Sequence, residues 1–64
     1  MTWWMIAYIF YNGDLKGRIV HAHPSRYECV MDGKEQTTFY SKLRGTVLYY
    51  CIAERYPEIF PKEK

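Results

Sequence analysis

Residues Trp3 to Tyr11, WWMIAYIFY, are nine apolar or aromatic positions in a row, and the run stops at Asn12-Gly13. Both central residues of a type I′ turn need positive φ, which Asn-Gly tolerates, so this dipeptide between two strand-like stretches predicts a β-hairpin. With a two-residue turn, Phe10 faces Leu15, Tyr8 faces Gly17, Ile6 faces Ile19 and Trp4 lies opposite His21; these side chains share one face, read as the core face. Trp3, Met5, Ala7, Ile9 and Tyr11 then occupy the other face with Lys16, Arg18 and Val20. A slip of one residue would exchange the two faces of the second strand.

After the hairpin, Ser25 is followed three residues later by Glu28, the spacing of a capping box, and a helix is predicted to begin at Arg26. Lys42 and Arg44 suit the negative end of a helix dipole, and Gly45 suits the left-handed position just beyond it. The inward stripe reads Cys29 or Val30, Gly33, Thr37, Tyr40 and Leu43, with Asp32, Lys34, Glu35 and Ser41 outside. A competing reading takes Asp32-Gly33 as a turn and the β-prone Thr37 to Tyr40 as a strand, making residues 27–40 a second hairpin. Thr46 to Glu54 reads as a third strand, antiparallel to the first. The first strand, apolar on both faces, then belongs in the middle, in order 2-1-3. The tail YPEIFPKEK is broken by Pro57 and Pro61 and is expected to run over the surface with Ile59 and Phe60 tucked in.

The predicted fold is therefore α+β, a three-stranded antiparallel sheet with one helix (ββαβ). The stretch from Gly17 to Val47 also resembles the opening strands of an OB barrel, so a small all-β barrel of OB or SH3 type is the alternative. A chain of 64 residues makes one domain with a modest core. Its 48% hydrophobic content argues against disorder, and its 19% aromatic content is more than such a core encloses, so some rings must show at the surface. The apolar run is too short to cross a bilayer as a helix, and Met1-Thr2 ahead of it lack the basic residues of a signal peptide. The expectation is a cytoplasmic protein without membrane contact.

One helix covers one face of a sheet. The uncovered face is read as Trp3, Met5, Ile9 and Val20, completed by either Val47, Tyr49 and Cys51 or Leu48, Tyr50 and Ile52, with Lys16 and Arg18 at its margin. Apolar surface rimmed by charge marks an interaction site, so Trp3, Met5, Ile9, Lys16 and Arg18 are the candidate partner-binding residues. The partner is a host protein or a second copy, with pairing along an edge strand as another route; a tail folded back over this face is the alternative that needs no partner. Single-stranded nucleic acid is the rival ligand, with exposed aromatics stacking on bases beside Lys16, Arg18, Arg26, Lys42 and Arg44. A net charge of +2 is small for a dedicated binder of that kind.

His21-Ala22-His23 puts two imidazoles on one side of a strand, with Glu28 and Cys29 nearby as further ligands, but no second Cys or His pair stands at zinc-site spacing. Surface or structural histidines are the preferred reading, with no metal and no other cofactor. Cys29 and Cys51 read as two buried free thiols, a disulfide being the alternative. No nucleophile stands in a recognisable Cys–His signature, no carboxylates form an acid–base pair, and Gly13, Gly17, Gly33 and Gly45 each stand alone, so no phosphate loop exists. The expectation is a non-enzymatic protein.

The sequence of a WW-opened apolar strand, an NG turn, a second strand, the capped SRYEC helix start and a final strand with one Cys resembles small phage and prophage accessory proteins. The resemblance is one of pattern over most of the chain. It implies a protein that inhibits or redirects a host protein by binding it, and it assigns no site residues.

Overall fold

The computed structural model describes residues 1–53. Expectations placed on Glu54 and on the tail with Pro57, Ile59, Phe60 and Pro61 lie outside the described residues. The elements run β1 (Trp3–Tyr11), β2 (Asp14–His23), α1 (Arg26–Lys42) and β3 (Thr46–Ala53). The sheet is antiparallel in order β2-β1-β3, the ββαβ arrangement expected. Residues 27–40 are helical throughout, so neither the second hairpin nor the barrel forms.

Asn12 (φ 54°) and Gly13 (φ 82°) both take positive φ between the paired Tyr11 and Asp14, as a two-residue primed turn demands. Beyond the turn the expected register fails. Phe10 pairs with Leu15 but Ile9 pairs with Gly17, leaving Lys16 as the extra residue of a β-bulge. From there Tyr8 faces Arg18, Ile6 faces Val20 and Trp4 faces Ala22, while Ala7 faces Ile19, Met5 faces His21 and Trp3 faces His23. One inserted residue has moved every later β2 side chain to the opposite face of β1, because side chains alternate with period two.

Ser25 is extended (φ −144°, ψ 158°) and its Oγ accepts from the Glu28 N–H at 3.3 Å, satisfying one of the orphan donors at the start of α1. At the other end, Arg44 N–H bonds Ser41 O at 3.0 Å and Gly45 N–H bonds Tyr40 O at 2.7 Å. This is a Schellman closure, and its left-handed residue is Arg44 (φ 68°), one position before the expected Gly45. Gly45 is needed for space instead: a Cβ there would stand 2.9 Å from the Tyr11 ring. A left-handed non-glycine residue costs on the order of 1 kcal/mol, part of which a glycine returns to the unfolded chain as entropy. Arg44→Gly is therefore expected to raise stability by roughly 0.5 kcal/mol, seen as a higher urea midpoint at unchanged slope.

The helix lies on the odd-numbered face of β1. Met5, Ala7, Ile9, Cys29 and Val47 form the buried cluster, with Trp3, Tyr11, Ile19, Tyr40, Tyr49 and Cys51 packed around it. The helix itself contributes only Cys29 and Gly33 as fully buried residues, and Leu43, expected inward, is 52% exposed. Small residues at this contact bring the helix backbone close to the sheet. A Cβ on Gly33 would lie 2.2 Å from Tyr49 Cδ2, so the Tyr49 ring occupies the space that a side chain at Gly33 would fill.

Cys29 and Cys51 are joined by a disulfide across this contact, with Cα atoms 6.1 Å apart. The free-thiol reading is thereby corrected: the inward first turn of α1 lies over the last part of β3 and brings the two sulfurs together. Among the described residues no helix is long and apolar enough to cross a membrane.

Candidate functional site

The structure reverses the expected exposure of the sheet faces. Trp3, Met5 and Ile9, named as docking anchors, point towards α1; Met5 is 0% and Ile9 6% exposed, and Trp3 is half-buried against the same cluster. Met5 and Ile9 are enclosed in the core, and Trp3 packs at its edge with part of its surface still open. The reason lies in β1, whose residues are apolar on both sides and so do not declare an inner face. The disulfide is the signal that would have declared it. Cys51 pairs with Met5 in the register, so a bond from Cys51 to the helix puts Met5 under the helix.

The face away from α1 carries Trp4, Ile6, Tyr8 and Phe10 in the centre, Leu15, Arg18, Val20 and Ala22 on the β2 side, and Leu48, Tyr50 and Ile52 on the β3 side. Of the two β3 sets considered from sequence, the even-numbered one is outward. Leu15 is 57%, Leu48 60% and Tyr50 38% exposed, and no other described element lies over them. Ile6, paired with Val20 and Tyr50 across the sheet, is fully buried.

Arg18 remains on this face, beside Tyr8, whereas Lys16 occupies the bulge. Burial pushes the Tyr50 hydroxyl above its ordinary range, and a hydrogen bond with Tyr8 and that neighbour's charge push the same way against the opposing influence of Arg18. Tyr8, Arg18 and Tyr50 thus make a polar cluster within an otherwise apolar surface.

A second grouping sits on the helix side, where the bulge has turned His21 and His23 towards α1. His21 Nδ1 lies 2.6 Å and His23 Nε2 2.7 Å from the same oxygen, Asp32 Oδ2, while Gln36 Nε2 donates to Oδ1 at 3.2 Å. Asp32, expected on the solvated side of the helix, has only 10% of its side chain exposed. Burial pushes its carboxyl up, but the hydrogen bonds from His23, His21 and Gln36 and the charge of His21 outweigh this and hold it below the ordinary carboxylate value. An ionised carboxylate only accepts, so the two imidazole nitrogens facing it are both N–H donors.

The further ligands considered from sequence do not join this group. Cys29 is committed to the disulfide, and Glu28 points to solvent in the first helical turn. Asp32 could not be associated with the histidines from spacing alone, because it is brought to them only by the angle at which α1 crosses β2.

No family model, no curated protein and no solved structure matches this chain.

Proposed function

We propose that this protein is a small non-enzymatic binding module that docks on another protein through the sheet face opposite α1. The observation that carries this reading is the exposure of Leu48, Leu15 and Tyr50 on one sheet face around the partly buried Trp4, Tyr8 and Phe10. Contiguous apolar surface with a few polar groups at hand is the usual anatomy of an interface, and large aromatics usually supply its strongest contacts. Arg18 and the Tyr8–Tyr50 pair supply orienting polar contacts. The resemblance of the sequence pattern to phage accessory proteins supports one biological form of this reading, the inhibition or redirection of a host protein.

The test compares the wild-type chain with the double variant Leu48→Glu/Tyr50→Ala as bait in extracts of the source cell and, if different, its host. Both side chains are exposed, so the variant should fold; circular dichroism checks that it does. A specific protein retained by wild type and lost by at least about tenfold with the variant supports the reading. Equal retention by both overturns the assignment of this face. A wild-type chain that sediments as a dimer, and a variant that does not, identifies the partner as a second copy.

Single-stranded nucleic acid is the second reading, favoured by Arg18 lying among Tyr8 and Tyr50 on the open face. Tight, steeply salt-dependent retention on single-stranded DNA or RNA would replace the protein-docking reading with this one. As to compartment, the cytoplasmic placement read from the sequence stands against the disulfide, since such bonds persist where the surroundings are oxidising. An oxidising site of action fits the bonded form of the domain better.

A further inference from the structure

We infer that His21, His23 and Asp32 form a binding site for a divalent first-row transition ion, zinc foremost, that ties β2 to α1. The three ligand atoms lie within 4.8 Å of one another and come from two consecutive elements, β2 and α1, that the fold packs side by side. Two neutral imidazoles and one carboxylate are a donor set suited to zinc, with the remaining coordination position open to water or another ligand.

The arrangement already has the features that a metal site requires of its surroundings. The second oxygen of Asp32 is fixed by Gln36, an outer hydrogen bond of the kind that orients a ligating carboxylate. His21 is 48% exposed while Asp32 is 10% exposed, so the group is closed on the helix side and open to solvent on the other. An ion can enter from that side.

Binding replaces two N–H···O hydrogen bonds by bonds to the ion. Metal–nitrogen distances of about 2.0 Å separate neighbouring ligand atoms in a tetrahedron by roughly 3.3 Å, so each imidazole must retreat from Asp32 by about 0.6 Å. Each neutral ring keeps its one proton, which moves from Nδ1 to Nε2 on His21 and from Nε2 to Nδ1 on His23. A ring that carries a second proton gives it up to solvent on binding, and no electron is transferred.

The same three residues admit a simpler role, a hydrogen-bonded clasp between strand and helix with no ion, and the experiment separates the two. The full chain, with its disulfide intact and no reductant present, is titrated with Zn²⁺ by calorimetry near pH 7.5, and the imidazole ¹⁵N shifts are followed. One equivalent should bind, the melting temperature should rise with free zinc, and the shifts should report ligation at Nδ1 of His21 and Nε2 of His23. Asp32→Asn and His21→Ala should each weaken affinity at least about tenfold. His21 is exposed enough that its loss leaves the fold intact, which keeps the test decisive should Asp32→Asn unfold. Absence of stoichiometric binding, or undiminished zinc affinity in a folded Asp32→Asn protein, overturns the proposal; the second result would reduce the site to a surface histidine pair.

Discussion

Gly33→Ala should destabilise this domain by about 2 kcal/mol or more, although alanine is the better helix former by about 1 kcal/mol. The gain in helix propensity is local and small. The loss comes from the contact between α1 and the sheet, where the new methyl would lie 2.2 Å from Cδ2 and 2.7 Å from Cγ of Tyr49. Cγ is the root of the ring, so a swing of the ring tip does not relieve the overlap. Either Tyr49 leaves its place in the core or the helix lifts off, stretching the packing around Cys29 and Val47. For a domain of this size the melting temperature should fall by roughly 10 °C. Placing the same substitution in a Tyr49→Leu background should remove most of its cost, since the two positions are coupled by one overlap. If Gly33→Ala raises the melting temperature of the otherwise wild-type chain, the close approach of helix and sheet described here is wrong.

Breaking the Cys29–Cys51 bond should have an effect at least as large. The bond closes a loop with a sequence separation of 22 residues, for which the loss of unfolded-state entropy corresponds to about 3 kcal/mol. A chain this short has few kcal/mol to lose, because its core is limited. Adding reductant during thermal unfolding should therefore lower the midpoint by on the order of 15 °C, or leave no folded baseline at all. Cys29→Ala/Cys51→Ala removes the bond without leaving buried thiols and should give a similar loss. A midpoint indifferent to reductant, with thiol labelling confirming reduction, would show that packing at the α1–β3 contact suffices without the bond. Such a result would also remove the objection to a reducing compartment.

Much of the architecture could be read from local signals, because the residues responsible act within a few positions of themselves. Asn12-Gly13 accepts the two positive φ angles of the hairpin turn, Ser25 caps the helix it precedes, and the long apolar run of β1 calls for the central place in the sheet. The α+β class, the strand order and the single helix all follow from such features.

What the chain pattern left undetermined was the facing of the sheet. A strand with apolar and aromatic residues on both sides carries no alternation, and the bulge at Lys16 shifts β2 by one residue with only the adjacent Gly17 to announce it. Period-two geometry turns that single residue into an exchange of faces for the rest of β2, while the packing of α1 on the odd-numbered side of β1 makes Met5 and Ile9 core and leaves Leu48 and Tyr50 on the other face. The same shift sends His21 and His23 to the helix side, where Asp32 waits eleven and nine residues further along the chain. Contacts within a turn or a cap are fixed by adjacency along the backbone. The disulfide, the open face and the histidine–aspartate cluster depend on how a helix crosses a sheet, and that is set by the fit of Gly33 and Cys29 against Tyr49 and Cys51 in three dimensions.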